Sequence, residues 1–261
     1  MRKLLLLLLL LIFSAISASA WNPCVVTSGK KAAGASYNDI TLWLGFEGTW
    51  SSPTYTIGAD DYSAGDTTGT ITSVAVVNSD AGLIGTNGLD CPTSYDRMQF
   101  SVSSDNIISG TAGRIGLKIR FTAWAQDGSV FNVVETAGND HFDLLTYGAD
   151  GVGTRELRFR WEDDNSTTNL ITTTTADLVL GTIYFIEIKY DTTANSFELW
   201  IDGVSKGTDT TDKGPIQPVT LEIGEIFGGA LDQHIDNLMI SDDITRDFYG
   251  EGLHDDTTSP R

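Results

Sequence analysis

Apolar and polar residues alternate in short stretches along much of the chain. In RIGLKIRF (114–121) every second residue is apolar, and in RELRFRW (155–161) the apolar positions begin at Leu157. An alternation with a period of two is the pattern of a β-strand that has one buried face. The same pattern predicts further strands at 41–47, 71–77, 97–102, 130–135, 141–147, 184–190, 196–201, 219–223 and 235–241.

About a dozen short strands separated by turn residues, with almost no stretch of helical period, indicate an all-β fold. Asp202 and Gly203 follow the strand at 196–201 and are the residue pair that favours a tight hairpin turn. Strands that each have one buried face pack as two layers around a core. The sequence therefore predicts an antiparallel two-sheet β-sandwich.

Asp236 is an acidic residue within the apolar strand IDNLMIS (235–241). Strict alternation places Asp236 on the same face as Leu238 and Ile240, toward the core. A buried carboxylate is costly unless it is protonated, hydrogen-bonded or bound to a cation. The sequence leaves these three possibilities open, including the simple one in which Asp236 accepts bonds from backbone N–H groups and no metal is present.

The first twenty residues have the composition of a secretory signal. Two basic residues precede the run Leu4 to Leu11, and Ala18-Ser19-Ala20 ends in small side chains. We expect residues 1–20 to be a signal peptide, residues 21–39 an N-terminal extension, residues 40–249 the sandwich domain, and residues 250–261 a flexible tail. The mature protein is expected to be extracellular or periplasmic.

The charge and the two cysteines narrow the expected partners and environment. A net charge of −19 disfavours nucleic acid, and no later apolar run is long enough for membrane insertion. In an oxidising compartment, a disulfide between Cys24 and Cys91 is the default expectation, and two separate buried thiols are the alternative.

Two stretches near the C-terminus carry a resemblance to a known superfamily. YFIEIKYDTTANSFELWIDGVSKG (184–207) followed by LEIGEIFGGALDQHIDNLMIS (221–241) resembles the C-terminal half of laminin-G-like, concanavalin-A-like jelly-roll domains. The resemblance extends over roughly residues 40–249. It implies a jelly-roll sandwich, but this superfamily contains lectin-like modules, adhesion domains, glycoside hydrolases and polysaccharide lyases, so it implies no single function.

The resemblance also implies a structural calcium ion. In such domains an early strand, here LWLGFEGTW (42–50), often lies beside the last strand, which would bring Glu47 near Asp236. Carboxylates and backbone carbonyls are the oxygen ligands that Ca²⁺ prefers. Glu47 and Asp236 are therefore the expected metal ligands. Alternation places Glu47 opposite Leu44 and Phe46, so a bulge or a strand end would be needed to turn it.

Four cations and one tryptophan are candidate ligand-binding residues. Lys118 and Arg120 lie on the polar face of one predicted strand, and Arg158 and Arg160 on the polar face of another. If these strands were neighbours, the four side chains would line a groove for a carboxylated or sulfated sugar. Cross-strand ion pairs with acidic residues such as Glu156, Glu187 and Glu198 would explain the same pattern. Trp200 is expected either to stack on a sugar ring or to pack against a neighbouring strand.

A catalytic set is incomplete in the sequence. TRELRFRW (154–161) is similar to a groove strand of jelly-roll alginate lyases, but the Gln-x-His motif expected next is missing from residues 162–183. The spaced acids of jelly-roll glucanases are also missing. His141 and Asp143 form a candidate catalytic or metal pair, or a solvent-facing pair beside a loop.

The sequence favours a secreted, non-catalytic carbohydrate-binding or adhesion module stabilised by calcium, whose partner is a polysaccharide or a glycoconjugate. The alternative is a polysaccharide lyase or glycoside hydrolase of the jelly-roll type that acts on an anionic glycan. A structural component of an exported assembly, without a sugar ligand, is a third hypothesis.

Overall fold

A computed structural model describes residues 39–46, 49–51, 54–56, 62–63, 68–72, 75–85, 87–102, 107–135, 141–151, 154–163, 166–173, 178–227 and 229–253. These residues form eighteen strands and no α-helix: β1 (Ile40–Leu44), β2 (Thr49–Ser51), β3 (Thr54–Thr56), β4 (Tyr62–Ser63), β5 (Thr68–Thr72), β6 (Val76–Asn78), β7 (Gly88–Cys91), β8 (Arg97–Ser101), β9 (Ala112–Ala123), β10 (Ser129–Glu135), β11 (His141–Tyr147), β12 (Glu156–Asp163), β13 (Ser166–Thr172), β14 (Ile183–Asp191), β15 (Ser196–Ile201), β16 (Val204–Asp209), β17 (Pro218–Gly224) and β18 (Asp232–Ser241). Within the described ranges, no helix is long and apolar enough to cross a membrane.

The strands form two antiparallel sheets, which confirms the predicted β-sandwich. The first sheet has the order β16-β15-β14-β9-β18-β1-β4, and β7 also pairs with β18 and carries β6. The second sheet has the order β13-β12-β11-β10-β17-β8-β5-β3-β2. Apolar residues of both sheets form one buried cluster between them. Each sheet therefore has one face toward the core and one outer face.

The core is rich in aromatic side chains from strands that the alternation predicted. Trp161 of β12 stacks on Phe142 of β11 with ring centroids 4.8 Å apart, and Phe197 of β15 packs 5.5 Å from Trp161. The hairpin between β15 and β16 turns at Asp202 and Gly203, both with positive φ, as their residue types predict. Phe197, Leu199 and Ile201 of β15 face the core and Trp200 lies on the outer face, as the alternation predicts.

The last strand, β18, lies in the middle of the first sheet. It pairs with β9 on one side, while on the other side residues 233–235 pair with β7 and residues 238–241 pair with β1. The register against β9 shifts between Asp236 and Met239, and Asn237 has φ +46°. A bulge of this kind inserts one extra residue and changes which face the following side chains point to.

The bulge corrects the predicted direction of Asp236. Ile235, Leu238 and Ile240 all face the main core, whereas Asp236 pairs across the strands with Lys118 on the outer face. Asp236 is fully buried there because the segment before β7 covers it. Its Oδ2 accepts hydrogen bonds from the N–H groups of Leu83 and Ile84 at 2.9 and 2.7 Å, and its Oδ1 accepts one from Asn237 at 2.7 Å.

The compact region extends beyond the predicted domain boundary at residue 249. Leu253 is buried, and its carbonyl accepts a hydrogen bond from Asn237 Nδ2 at 3.0 Å. The expected flexible tail therefore does not begin at residue 250. Residues 254–261, the signal peptide and most of the N-terminal extension lie outside the described residues, so those boundaries stay predictions.

Replacing Asp236 by Asn tests how much the buried carboxylate contributes. The change leaves one oxygen acceptor and turns an amide N–H toward backbone donors, so we expect Asp236→Asn to lower the free energy of unfolding by about 2–3 kcal/mol. Asp232→Asn, on the same strand, is the control and should change it by less than about 0.5 kcal/mol. Urea unfolding measures both. Equal, small effects of the two variants would contradict the role given to Asp236.

Candidate functional site

The segment after β18 turns back over the outer face of the first sheet. Phe248 and Leu253 of this segment pack on a second, smaller apolar cluster that also contains Trp43 of β1 and Phe185 of β14. Gly116 of β9 makes this packing possible, because a Cβ there would lie 2.8 Å from ring atoms of both Phe185 and Phe248. The first sheet is therefore partly covered on its outer face.

Two arginines fix the segment in place. Arg246 forms a two-pronged ion pair with Asp39 and a 2.8 Å bond to Glu251. Arg114 of β9 donates to Glu187 Oε1 at 2.9 Å and also to the carbonyl of Arg246. Because guanidinium groups offer several donors in a fixed plane, each arginine can connect two elements.

These contacts and the burial around them shift the pKa values of two carboxyl groups, Asp39 and Glu187. Burial tends to raise the pKa of Asp39, but the hydrogen bonds from Arg246 and Ser241 outweigh it and hold the pKa below its ordinary value. Burial raises the pKa of Glu187, and Arg114 offsets only part of that effect. Glu187 is almost completely buried. It therefore serves the packing of the segment rather than offering a carboxylate to solvent.

A cleft of about 400 Å³ lies between this segment and the β14–β15 part of the first sheet. We call it the Trp200 cleft. Its lining includes Arg114, Lys189, Glu198, Trp200, Asp247 and Tyr249. Trp200 Nε1 donates to Glu198 Oε2 at 2.9 Å, and Lys189 Nζ donates to Glu198 Oε1 at 3.0 Å. The indole is thus held in one orientation.

Tyr249 reaches the cleft because the hairpin turn below it is a glycine. A Cβ on Gly203 would lie 2.5 Å from the Tyr249 ring. Trp200 and Tyr249 are half-buried, whereas Trp43, Trp124 and Trp161 are buried. Of the tryptophans whose side chains are described, Trp200 alone combines partial exposure with a place in a cleft. Whether it stacks on a sugar ring stays a prediction.

The four predicted cations do not share one groove. Lys118 and Arg120 lie on β9 in the first sheet, and Arg158 and Arg160 lie on β12 in the second sheet. The two pairs are therefore on opposite outer faces of the sandwich, and the hypothesis of a common groove is wrong. The alternation identified the outer faces correctly but carries no information on which strands pair.

Ion pairs, the alternative explanation of the cations, account for Arg160 among the four and also for Lys189. Arg160 binds the Asp143 carboxylate through Nε and Nη2, and Lys189 binds Glu198 across β14 and β15. Arg158 instead lies over the ring of Tyr147, 3.5 Å from its centroid. Cross-strand ion pairs thus neutralise Arg160 and Lys189, which are then less able to bind an anionic ligand.

His141 and Asp143 are neighbours on β11, and Asp143 is fully buried. His141 Nε2 lies 3.4 Å from Asp143 Oδ2 and 3.0 Å from Arg160 Nη2. The hypothesis of a solvent-facing pair is therefore wrong. The bond from Arg160 occupies the Nε2 lone pair, which a general base or a metal ligand would need.

Of the two expected calcium ligands, the structure describes Asp236 only. Glu47 lies outside the described residues. The Asp236 carboxylate accepts three backbone N–H bonds, which leave about one of its four lone pairs for a cation. Its role as a calcium ligand stays a prediction. Calcium binding elsewhere around residue 47 stays a prediction.

The disulfide hypothesis also has one partner outside the described residues, namely Cys24. Cys91 is a buried free thiol, and burial raises its pKa well above the ordinary value. The pairing of Cys24 with Cys91 is not formed in this structure, and it stays a prediction.

A second cluster, which sequence reasoning missed, lies on the outer face beside β7. Ligand atoms of Asp90, Asp232 and His234 all lie within 4.8 Å of one another. Arg120 Nη2 is 2.5 Å from His234 Nδ1, so Nδ1 is the acceptor and the proton of the neutral ring is on Nε2, facing Asp90 at 3.4 Å. This tautomer and the adjacent guanidinium disfavour metal binding.

Sequence reasoning also missed Arg114, Asp247 and Tyr249. Arg114 looked like one more polar-face cation, and the last two lay close to the expected tail. The apolar residues in RDFYGEGL (246–253) were the available signal, since Phe248, Tyr249 and Leu253 would not be expected in a segment with nothing to bury.

Comparison with known proteins gives a likeness in fold alone. No protein-family model matches the chain, and no curated protein does. Among solved structures, domain 4 of AbnA, a GH43 extracellular arabinanase from Geobacillus stearothermophilus, in complex with arabinotriose, is 13% identical with a TM-score of 0.56; the match covers 85% of this chain and 100% of that domain.

Two binding domains of botulinum neurotoxins are similar to the same extent. The serotype D ligand-binding domain in complex with N-acetylneuraminic acid is 15% identical with a TM-score of 0.56, and the DC binding domain in complex with SialylT is 12% identical with a TM-score of 0.61. These matches cover 83% and 85% of this chain, which spans about half the length of those domains (50% and 52%).

The ion pair between Asp39 and Arg246 predicts a dependence of stability on pH. Because the folded state lowers the pKa of Asp39 below 3.8, its stabilisation is complete above that pH and is lost as the pH falls through the lower, folded-state value. We expect Asp39→Asn to destabilise the protein at pH 6 and to differ less from the wild type as the pH falls toward 3.

Urea unfolding between pH 3 and 6 measures this difference. Glu251→Gln is the control, because it removes the more exposed partner of the same arginine and should have a smaller effect. A difference between wild type and Asp39→Asn that stays constant down to pH 3 would contradict the account.

Proposed function

We propose that the protein is a non-catalytic carbohydrate-binding module and that the Trp200 cleft is its binding site. The observation that carries this proposal is an oriented, half-buried indole beside Tyr249 in a cleft with polar walls. Aromatic rings offer an apolar face for the C–H groups of a sugar ring, while the surrounding polar groups can bond its hydroxyls.

The size and charge of the cleft favour an uncharged glycan. About 400 Å³ falls within the range of small-molecule sites, although the cleft is open on one side. Lys189 is paired with Glu198, and Arg114 with the buried Glu187, so neither cation is left without a carboxylate. Asp247 adds a further negative charge at the rim. A polyanionic chain would meet no excess of positive charge here.

The structural neighbours support carbohydrate binding in general, and they do not bear on the charge of the glycan. Domain 4 of the arabinanase is seen with arabinotriose, and the botulinum binding domains with sialic acid or a sialylated ligand. Membership of the laminin-G-like superfamily, export through a signal peptide and the Cys24–Cys91 disulfide are parts of the same proposal. They rest on the sequence.

A structural calcium ion near residue 47 is a separate part of the proposal. If calcium binds there, a chelator should lower the thermal midpoint and added calcium should restore it, in both the wild type and Asp236→Asn. The three N–H bonds to Asp236 predict that the effect of Asp236→Asn is the same with calcium and with chelator. A midpoint that does not respond to chelator would remove the ion from the proposal.

Replacing Trp200 tests the binding site. We expect Trp200→Ala to weaken binding of a neutral oligosaccharide at least about tenfold, because the stacking surface is lost, and Trp200→Phe to retain part of the affinity. Neutral oligosaccharides found on a glycan array supply the ligand, and isothermal titration calorimetry measures the affinity. Val179→Ala, which changes an exposed apolar side chain that does not line the cleft, is the control and should bind as the wild type does.

The same samples separate binding from catalysis. Retention of the glycan without new reducing or unsaturated ends supports the module, whereas product formation would favour the lyase or hydrolase alternative. An affinity that is unchanged in Trp200→Ala would contradict the assignment of the cleft.

A further inference from the structure

Two exposed aromatic rings lie at one end of the second sheet. Tyr95 is 54% exposed and precedes β8, and Phe227 is 48% exposed and follows β17. Arg97 of β8 pairs with Gly224 of β17, so the two rings project from the same end of adjacent strands. Exposed rings of this size on a soluble protein frequently mark a binding surface when they occur together.

Buried polar groups hold the two loops in place. Glu225 is fully buried, and its carboxylate accepts hydrogen bonds from the N–H groups of Ser129 and Phe227 at 2.9 and 2.6 Å. Its own N–H donates to the Asp96 carbonyl at 2.9 Å, and Ser94 Oγ donates to the Gly229 carbonyl at 2.7 Å. The backbone that carries Phe227 is therefore fixed to the loop that carries Tyr95.

The outer face beside Phe227 carries two arginines in different states. The guanidinium of Arg160 lies 5.7 Å from the Phe227 ring but is bound to the buried Asp143. Arg158 lies two residues earlier on the same face, about 7 Å away along the strand. Its guanidinium rests on the Tyr147 ring. It also forms a long ion pair, 4.0 Å from Nη1 to Oδ1 of Asp127, whose side chain is 58% exposed.

Arg158 is thus oriented but weakly paired. The ring of Tyr147 fixes the plane of the guanidinium, and a 4.0 Å contact with an exposed carboxylate contributes little. Its Nε makes no hydrogen bond within the described residues but is buried, so a ligand carboxylate would be bound by the Nη donors. A planar, oriented guanidinium with donors to spare matches the geometry of a carboxylate.

We propose that this end of the second sheet is a second glycan site, specific for a uronate-bearing oligosaccharide, with a sugar ring on Phe227 and a carboxylate on Arg158. The Trp200 cleft lies on the outer face of the other sheet, so this site does not depend on the function proposed for that cleft. The chain as a whole has a net charge of −19, so long-range electrostatics would repel a polyanion, and its binding would need direct contacts such as the one with Arg158.

The test compares hexagalacturonate with its fully methyl-esterified form, which keeps the ring and removes the charge. Calorimetry at low salt is expected to show the wild type binding the acid at least about tenfold more tightly than the ester. Arg158→Gln should abolish this difference, and Arg158→Lys should restore only part of it, because an ammonium cannot bind a carboxylate in two-pronged geometry. Phe227→Ala should weaken both ligands about tenfold.

Trp200→Ala separates this proposal from the one for the cleft, since it should leave hexagalacturonate binding unchanged. Far-UV circular dichroism checks that each variant is folded, and the exposed position of Phe227 keeps that variant informative if Arg158 variants misfold. The proposal is overturned if the wild type binds neither form, if acid and ester bind equally, or if Trp200→Ala alone removes binding of the acid.

Discussion

The structure depends on the last strand, β18, being hydrogen-bonded on both sides within the first sheet. One neighbour is β9 along the whole length, whereas the other side is shared by β7 and β1, which meet β18 at different halves. Between these two halves, neither the pairing with β7 nor the pairing with β1 includes Asp236 or Asn237. The side chains of Asp236 and Asn237 take over there, accepting from Leu83 and Ile84 and donating to Leu253. The Asp236 carboxyl group is therefore buried where three backbone N–H groups converge on it.

This arrangement also determines where a ligand cleft forms. Because β18 ends in the middle of a sheet, the chain that follows it has to leave across an outer face, and it buries Phe248 and Leu253 there. Arg246 and Arg114 then fix the segment against Asp39 and Glu187. The wall of the Trp200 cleft is this segment, so the same constraint that closes the fold gives the first sheet a concave surface.

Alternation was sufficient to predict most strands and the sandwich itself. The position of Trp200 on an outer face followed from the same pattern, because it alternates with Phe197, Leu199 and Ile201. Alternation failed at Asp236, where a one-residue bulge inverts the pattern. It missed β2, β3, β4, β7 and β13, and it merged β5 and β6, which lie in different sheets, into one strand at 71–77. The sequences of β7 and β13, GLDC and STTNLIT, contain few apolar residues at alternate positions.

Which strands pair was beyond the reach of the pattern. Lys118 and Arg158 occupy equivalent positions in similar strands, yet β9 and β12 belong to different sheets. Which strands become neighbours in a sheet depends on packing between segments that are distant in the chain. The local sequence of one strand does not encode that packing. The recognition of Tyr249 and Phe227 as candidates likewise required the structure, since the path of the chain places Tyr249 half-buried in a cleft and leaves Phe227 exposed.

The central claim is that the segment after β18 and the β14–β15 hairpin form the surface that receives a neutral glycan. The most direct measurement is a ¹H–¹⁵N correlation spectrum during titration with that glycan, following the indole N–H of Trp200, which is bonded to Glu198. The account predicts that this signal shifts together with the backbone signals of residues 244–250. Saturable shifts confined to other parts of the protein, with the Trp200 indole unmoved, would contradict it.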